Sequence, residues 1–297
     1  MRLPTENQNP ATASIDKMST LDMLAAINEE DAGVAFAVRS ALPEIALAVD
    51  AVAQSLRSGG RLFYVGAGTS GRLGVLDAVE CVPTFGASPE QVQGLLAGGR
   101  EAVFRAVEGA EDNEETGRRD LQLHGLSRAD VVCGIAASGT TPYVMGALAF
   151  AKSLGARSIA ICCNMEAPIL DLVDIGIAVD VGPEVIAGST RMKAGTAQKL
   201  ILNMLSTATM ISLGKVYRNL MVDLQVTNQK LATRALRLVM QLTETDEAQA
   251  SALLTATDND VKTAVVMARL GITLAEALQR LRQADGYLYR VIDELDH

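Results

Sequence analysis

Residues 61–72, RLFYVGAGTSGR, decide the fold of this chain. An apolar run of strand length, residues 62–65, breaks into a stretch with three glycines and the hydroxyls of Thr69 and Ser70. Glycines let backbone N–H groups approach a ligand closely, and the start of a helix carries partial positive charge. The pattern therefore predicts a strand, an anion-binding turn, and a helix over about residues 72–80.

The same glycines allow two other interpretations. Gly66, Gly68 and Gly71 fit the G-x-G-x-x-G pattern of dinucleotide-binding folds, which also needs an acidic residue at the end of a second strand about 20 residues later. Residues 81–90, CVPTFGASPE, are rich in proline and glycine instead, which disfavours a nicotinamide cofactor. A plain tight turn is the other alternative, and the rest of the chain must decide between them.

Composition limits the class of protein. The net charge of −9 comes from 26 basic and 35 acidic residues, so we expect no nucleic acid and no membrane surface as partner. Aromatic residues make up only 3%, which leaves room for a small sugar but few platforms for stacked bases. The four cysteines and two histidines lack metal-ligand spacing, so we expect buried reduced thiols, no metal and no cofactor. Without a signal sequence or a long apolar run, the chain is predicted to be cytoplasmic.

Short apolar segments bounded by turn-forming residues predict the secondary structure. They indicate an α/β fold, with a five-stranded parallel sheet flanked by helices and a small C-terminal three-helix appendage. The predicted strands are residues 62–65, 92–97, 130–136, 158–163 and 175–181. The predicted helices include one from a Ser19 cap, 34–56 with a restart at Pro43, 144–154, a long one ending at Leu213, 221–242, and the appendage segments 246–254, 259–270 and 274–283.

Two further stretches repeat the chemistry of the first loop. The third strand runs into residues 137–143, ASGTTPY, in which hydroxyls precede a proline typical of a first helical position. Two such loops at the carboxyl edge of one parallel sheet would meet in a single crevice. Residues 182–199, GPEVIAGSTRMKAGTAQK, add a third polar helix start with Arg191 and Lys193, although these two could equally be surface charges.

An acidic segment, residues 108–115 (EGAEDNEE), opens a polar helix. By residue type alone, the segment is typical of a solvated helix start, because acids there suit the helix dipole. A catalytic role needs other support.

Together these motifs resemble the sugar isomerase (SIS) phosphosugar-binding fold and, within it, the N-acetylmuramic acid 6-phosphate etherases, relatives of the glucokinase regulatory protein. The resemblance covers nearly the whole chain. It rests on TENQNP (5–10), GAGTSGRLGVLDAVECVPTFG (66–86), AGG followed by VEGAED (107–112), ASGTTPY (137–143) and GPEVIAGSTRMKAGTAQK (182–199). The implied division is an arm over residues 1–17, an SIS domain with flanking helices over 18–242, and a helical cap over 243–297.

The resemblance also implies where the chemistry lies. The two acid/base glutamates of the family correspond to Glu80 and Glu111, and we expect Glu80 to protonate the leaving lactate oxygen and Glu111 to remove the C2 proton. The substrate-binding set comprises Thr69, Ser70, Ser138, Gly139, Thr140, Thr141, Ser189 and Lys193. The family further implies a homodimer whose sites take residues from the partner.

Departures from the family pattern and two rival functions remain. Gln8 replaces a usual arginine, while Val79 and Val82 replace a common serine and proline, which changes the arm contacts and the surroundings of Glu80. A phosphosugar isomerase would use the same fold and also remove a C2 proton, but the acidic segment disfavours it. A non-catalytic phosphosugar sensor like the glucokinase regulator would carry two SIS copies, and this chain has length for one.

Overall fold

The computed structural model describes residues 4–293; residues 1–3 and 294–297 of the predicted arm and cap lie outside them. The strands are β1 (Leu62–Gly66), β2 (Val92–Leu96), β3 (Val131–Ile135), β4 (Arg157–Cys162) and β5 (Ile175–Ala178). The helices are α1 (Thr20–Ala32), α2 (Val34–Arg39), α3 (Leu42–Arg57), α4 (Gly68–Phe85), α5 (Glu114–Leu123), α6 (Pro142–Leu154), α7 (Lys193–Ser212), α8 (Gln229–Thr243), α9 (Glu247–Ala256), α10 (Val261–Leu270), α11 (Leu274–Gln283) and α12 (Tyr289–Ile292).

The strands form one parallel sheet with the order β2-β1-β3-β4-β5. This confirms the predicted five-stranded parallel sheet, and each strand begins within one residue of its predicted start. Every residue of β1 and β3 is buried, as continuous apolar runs predict for the centre of a parallel sheet. The last strand is shorter than predicted, since β5 ends at Ala178 rather than Val181.

Helices cover both faces of the sheet. On one face, α5 and α6 bury Leu121, Tyr143 and Leu148 in a cluster with Phe63 and Val132 of the sheet. On the other face lies α4, where a Cβ added to Gly74 would stand 2.9 Å from the Cβ of Tyr64. Because successive side chains of a strand point to opposite faces, Phe63 and Tyr64 anchor the two layers. Helix α3 also packs against β1, β3 and β5.

Helix α4 begins earlier and ends later than the predicted residues 72–80. Gly68 starts it with a φ of +53°, which glycine adopts readily, and the N–H of Gly71 donates to the carbonyl of Ala67 at 3.1 Å. A Cβ on Gly71 would lie 2.5 Å from the Gly66 carbonyl oxygen. Gly68 and Gly71 thus lie in the first turn of α4, which packs against the end of β1, and not in a loop before the helix.

The prediction of a helix over residues 221–242 was wrong in its first third. Helix α8 begins at Gln229, after Asn228 caps it by accepting a hydrogen bond from the N–H of Leu231 at 3.0 Å. Val222 and Leu224 are buried without being helical. The apolar residues before Asn228 therefore reflect packing, and the asparagine fixes the helix start.

The described part of the N-terminal arm, residues 4–17, folds into turns rather than an extended segment. It forms short 3₁₀ turns at Pro4–Glu6, Pro10–Thr12 and Ile15–Lys17. The buried Thr12 hydroxyl donates to the carbonyl of Val185 at 2.8 Å, and the N–H of Gly188 donates to the carbonyl of Thr5 at 2.9 Å. Long-range hydrogen bonds that sequence patterns do not reveal hold the arm against residues 183–188.

By compactness, the described chain divides into two units. The first contains the described part of Met1–Ala78 with Glu90–Ser206, and so the whole sheet. The second contains Val79–Pro89 with the described part of Thr207–His297; helices α8 to α12 build its core together with Tyr217, Val222 and Leu224. This division groups residues 207–242 with the C-terminal helices rather than with the sheet, and the functional boundaries at residues 17 and 242 stay predictions.

Two further findings bear on the protein class. All four cysteines are buried, as predicted, and burial raises the pKa of the Cys133 thiol. Within residues 4–293, no single helix has the length and apolar composition to cross a membrane; the segments Thr20–Arg39 and Leu42–Arg57 pass that test only as a pair, bent by 63°.

The contact between α5 and α6 gives a stability prediction. A Cβ on Gly117 would lie 1.9 Å from the carbonyl oxygen of Tyr143, so Gly117→Ala should force the two helices apart. Such overpacking costs about 1–3 kcal/mol, which urea unfolding would detect. Gly33→Ala is the matched control: Gly33 has a φ of −73° and an added Cβ would meet nothing closer than 3.7 Å. This control should be neutral or stabilise by up to about 1 kcal/mol; equal losses in both variants would contradict the packing argument.

Candidate active site

The loops predicted to bind an anion lie side by side at the carboxyl edge of the sheet. Gly66 at the end of β1 pairs in register with Ile135 at the end of β3. From β1 the chain moves outward to β2 and then returns past β1 to β3, so the strand order reverses between β1 and β3. Ligands of open α/β sheets bind outside the strand ends at such a switch point.

The second loop is shaped by Gly139. Its φ of +70° and the 2.3 Å that would separate an added Cβ from the Cβ of Ala167 both require glycine. Ser138 Oγ accepts hydrogen bonds from the N–H and the hydroxyl of Thr140, at 3.3 and 2.9 Å. Helix α6 then begins after Thr141 without a side-chain cap. Pro142 has no N–H, and the N–H groups of Val144 and Met145 donate to the carbonyl of Thr141 at 3.0 Å. The start of α6 therefore favours an anion through its partial positive charge and the hydroxyls beside it.

At the third polar helix start, the N-terminus of α7, a carboxylate of the protein takes the place of a bound anion. The backbone N–H groups of Lys193 and Ala194 donate to the carboxylate of the fully buried Glu184 at 2.9 and 3.0 Å. The Lys193 ammonium pairs with Glu30 at 2.5 Å. A carboxylate at a helix start makes the interaction that a bound anion would make there. Ser189 lies half-buried in the turn before α7, and its role in substrate binding stays a prediction, as does that of Lys193.

Helices α4 and α7 run side by side in the same direction. Ser70 bonds to Gln198 at 2.9 Å, and two helical turns later Asp77 accepts hydrogen bonds from Asn203 at 2.8 Å and Ser206 at 3.1 Å. Since residue numbers rise together along both helices, their N-termini lie at the same end. A Cβ on Gly195 would stand 3.5 Å from Thr69 Cγ2, which agrees with this alignment.

Asp77 is a buried carboxyl at the centre of these contacts. It also accepts a hydrogen bond from the Tyr64 hydroxyl at 3.0 Å, so it links α4 to both β1 and α7. Burial raises the pKa of the Asp77 carboxyl, while the hydrogen bonds from Asn203, Tyr64 and Ser206 act in the opposite direction. Asp77 fixes the helix whose first turn carries Thr69 and Ser70.

Glu111 lies in a separate 3₁₀ turn, Ala110–Asp112, and not at the start of the polar helix. Helix α5 begins only at Glu114, after an Asn113 cap. A favourable interaction with the helix dipole therefore explains the acidic residue at Glu114 but not the one at Glu111. The Glu111 side chain is exposed, which leaves it accessible to a ligand.

The segment that carries Glu111 is anchored from two sides. A Cβ on Gly98 would lie 3.0 Å from the Cβ of Val107 and 3.3 Å from that of Ala110, so the glycine after β2 lets the segment approach. The Arg72 guanidinium donates to the carbonyls of Val103 at 3.1 Å and Arg105 at 3.3 Å. The acidic turn is thereby tied to the first turns of α4.

Glu80 lies on α4, in the part of that helix that belongs to the second unit. Its side chain is exposed, as is that of Val79, whereas Ala78 and Cys81 are buried. The exposed Val79 is the position where the family commonly has serine. The departure therefore adds an apolar surface next to the acid and leaves the buried face unchanged.

Sequence reasoning missed four polar residues that build this edge: Glu30, Asp77, Glu184 and Gln198. Glu30, Asp77 and Gln198 are joined to distant parts of the chain; Ser70 and Gln198, for instance, are 128 positions apart. Glu184 bonds nearer in sequence, to the N–H groups of Lys193 and Ala194. One signal was available, because Gln198 interrupts an otherwise apolar face of α7 between Ala194, Ala197 and Ile201. A polar residue at a core position predicts a buried hydrogen-bond partner without naming it.

Comparison with known protein families identifies several matches. The chain matches the glucokinase regulatory protein N-terminal SIS domain over residues 44–152, the SIS domain over 110–208, and the C-terminal lid domain of glucokinase regulatory protein over 218–260. It is 52% identical to N-acetylmuramic acid 6-phosphate etherase 2 of Vibrio cholerae, covering 98% of this chain and 95% of the relative. It is 54% identical to the N-acetylmuramic acid 6-phosphate etherase of Photorhabdus laumondii, covering 96% and 94%.

Solved structures share the fold. A phosphoheptose isomerase from Francisella tularensis superposes with a TM-score of 0.51 at 20% identity, covering 65% of this chain and all of that one. A phosphoheptose isomerase from Neisseria gonorrhoeae gives a TM-score of 0.51 at 16% identity, covering 64% and 98%. At these identities the likeness concerns the architecture of the sheet and its helices alone.

The shifted pKa of Asp77 predicts a pH dependence of stability. Because folding favours the protonated carboxyl, wild-type protein should lose stability relative to Asp77→Asn as the pH rises above about 4, where the carboxyl of the unfolded chain ionises and the buried one still binds its proton. Urea unfolding at several pH values measures this difference.

Asp130→Asn provides a control of opposite sign. Burial alone would raise the pKa of Asp130, but hydrogen bonds from Arg61 and Ser127 and the charge of Arg61 lower it. Wild-type protein should therefore gain stability over Asp130→Asn as the pH rises towards about 4, the ordinary pKa of an aspartate, and keep that gain at higher pH. Parallel pH profiles for the two comparisons would contradict the assignment.

Proposed function

The chain belongs to the N-acetylmuramic acid 6-phosphate etherase family, and from this premise we propose that it cleaves the lactyl ether of N-acetylmuramic acid 6-phosphate. The products are N-acetylglucosamine 6-phosphate and D-lactate. The observation that carries the proposal is the identity of 52–54% over nearly the whole chain. The arrangement of loops at the strand switch point supports it independently.

The phosphate binds between the starts of α4 and α6. Both helices begin at the same edge of the sheet, and partial positive charge at helix starts favours an anion there. Thr69 and Ser70 lie in the first turn of α4, and Ser138, Thr140 and Thr141 precede α6. These groups bind the phosphate locally, because a chain with a net charge of −9 has no overall positive field to attract it.

The reaction is an elimination followed by addition of water, which makes the enzyme a carbon–oxygen lyase. An alkyl ether resists direct displacement, but in the open-chain sugar the C1 carbonyl acidifies the proton on C2. Glu111 removes that proton, the bond between C3 and the lactyl oxygen breaks, and Glu80 protonates the leaving oxygen. Water then adds to C3 of the unsaturated aldehyde. This assignment needs one carboxylate as the base and one carboxylic acid as the proton donor.

A second copy of the chain is proposed to cover the first three helices. Helix α1 has no buried residue, and its Leu21 is 76% exposed. Phe36 of α2 is 75% exposed and Leu47 of α3 is 60% exposed. Monomeric proteins seldom leave so many large apolar side chains together in water, so a homodimer interface accounts for them. The buried thiols agree with the proposed cytoplasmic location.

Ser138 provides a test of the phosphate site. Its oxygen accepts two hydrogen bonds from Thr140, which leaves its own hydrogen to be donated to phosphate. Ser138→Ala should raise KM by roughly ten- to a hundredfold with little change in kcat, because the donor contributes to ground and transition states alike. Ser153→Ala, at the other end of α6, is the control and should change neither constant. A collapsed kcat at constant KM would instead move Ser138 into the catalytic group.

The fate of solvent isotopes tests the reaction type. In deuterated water enriched in oxygen-18, elimination and addition should place deuterium on C2 and labelled oxygen on C3 of the sugar, while lactate keeps its oxygen. Hydrolysis at the lactyl carbon predicts labelled lactate and no deuterium on C2. Mass spectrometry of both products decides between the two reactions.

The same experiment assigns the glutamates. Glu80→Gln and Glu111→Gln keep the side-chain shape and should each slow lactate release by about 10²–10⁴. Glu80→Gln should still exchange the C2 proton of the product with solvent, because exchange needs only the base, whereas Glu111→Gln should not. Equal exchange in both variants would mean that the roles are shared, and loss of exchange in Glu80→Gln alone would mean that they are reversed.

A further inference from the structure

The hydrogen bond between Ser70 and Gln198 has a direction that conflicts with phosphate binding. The Ser70 hydroxyl donates to Gln198 Oε1 at 2.9 Å. A serine hydroxyl carries one hydrogen, so in this arrangement Ser70 presents only lone pairs to other groups. A phosphate oxygen needs a donor. The Ser70 hydroxyl, in the first turn of α4, thus points its hydrogen away from the anion that the loop is built to hold.

The other end of the same amide is buried without a partner. Gln198 is 1% exposed and Ser70 is 8% exposed. Gln198 Nε2 is one of three buried side-chain polar atoms in residues 4–293 that make no hydrogen bond. Buried donors without an acceptor are rare and costly, so an orphaned N–H₂ beside a ligand loop indicates a second arrangement of the pair.

A half-turn of the Gln198 amide reverses the direction of this hydrogen bond and gives Nε2 a partner, while Oε1 turns to the position that Nε2 leaves. It brings Nε2 to Ser70 Oγ as a donor, and the serine oxygen accepts that bond with its lone pairs. The Ser70 hydrogen is then released and can be donated to a phosphate oxygen. The backbones need not move, since α4 and α7 are also held together at Asp77 by Asn203 and Ser206.

We propose that Gln198 is a positioning residue that sets the direction of the Ser70 hydroxyl, so that binding of a sugar phosphate is coupled to the turn of the Gln198 amide. The proposal rests on the phosphate site of the proposed function. Gln198 is 1% exposed and is bonded to Ser70, so it acts through that hydroxyl rather than on the substrate directly.

Two substitutions of Gln198 separate this role from simple packing. The carboxylate that Gln198→Glu introduces has only acceptor oxygens when it is ionised, so it should hold the Ser70 hydrogen permanently. This should raise KM and the Kd for N-acetylglucosamine 6-phosphate by roughly ten- to a hundredfold. Gln198→Met keeps similar volume without hydrogen-bonding groups and leaves the hydrogen free, so its constants should change by less than about fivefold. The penalty of Gln198→Glu should grow between about pH 6 and pH 9 relative to wild type, as the buried carboxyl ionises. If Gln198→Met is as impaired as Gln198→Glu, or if the penalty does not depend on pH, the role is only structural.

A double-mutant cycle excludes plain repulsion between the new carboxylate and the phosphate. In a Ser70→Ala background no hydroxyl is left to hold, so Gln198→Glu should add less than about threefold to the Kd. Repulsion would persist undiminished in that background and would overturn the proposal.

Calorimetric Kd values together with lactate release show whether the inference about Gln198 fails alone or together with the proposed function. A wild-type protein that binds the sugar phosphate and releases lactate, but shows no coupling in the cycle, overturns the inference alone. A wild-type protein that neither binds the sugar phosphate nor releases lactate overturns the inference and the proposed function together.

Discussion

The close approach of α4 to the end of β1 is the constraint on which the rest of the site depends. Gly66 and Gly71 lie so near each other that a Cβ on Gly71 would stand 2.5 Å from the Gly66 carbonyl oxygen. This contact sets where the first turn of α4 presents Thr69 and Ser70. It also sets where Arg72 can reach the segment that carries Glu111. A longer side chain at either glycine would displace the helix start, and with it the partial charge and hydroxyls that the loop offers to an anion.

Buried polar contacts then hold the helices around that start. Hydrogen bonds join α4 to α7 at two points: Ser70 bonds to Gln198, and Asp77 bonds to Asn203 and Ser206. Asp77 also bonds to Tyr64 of β1. The buried Glu184 carboxylate caps the N-terminus of α7, and the Lys193 ammonium forms an ion pair with Glu30 of α1. Each buried polar group is costly when alone and stabilising when paired, so these contacts specify one arrangement of the helices. A site that must place donors around one phosphate needs that rigidity.

The sequence predicted those features that local patterns determine. Continuous apolar runs predicted the central strands β1 and β3, because a residue buried on both faces of a parallel sheet must be apolar. The other three strands were predicted from short apolar segments bounded by turn-forming residues. The two hydroxyl-rich loops could be placed together, because parallel strands end at the same edge. Contacts between distant residues were out of reach: the bonds of the arm to Val185 and Gly188, the pairing of Glu30 with Lys193, and the Gln198 partner of Ser70. The starts of α4 and α8 were misplaced for a related reason, since the first turn of α4 forms where Gly71 packs against Gly66 at the end of β1, and Asn228 caps α8 within a buried apolar stretch.

The central claim is that the starts of α4 and α6 hold the phosphate of the substrate. A crystal structure with N-acetylglucosamine 6-phosphate bound tests it most directly. The account predicts that the phosphorus lies between the two helix starts, with phosphate oxygens within hydrogen-bond distance of Ser138 Oγ and of backbone N–H groups of both loops. A phosphate bound instead at the opposite edge of the sheet, in the polar cavity of about 470 Å³ lined by Arg128, Lys152 and Arg157, would contradict it.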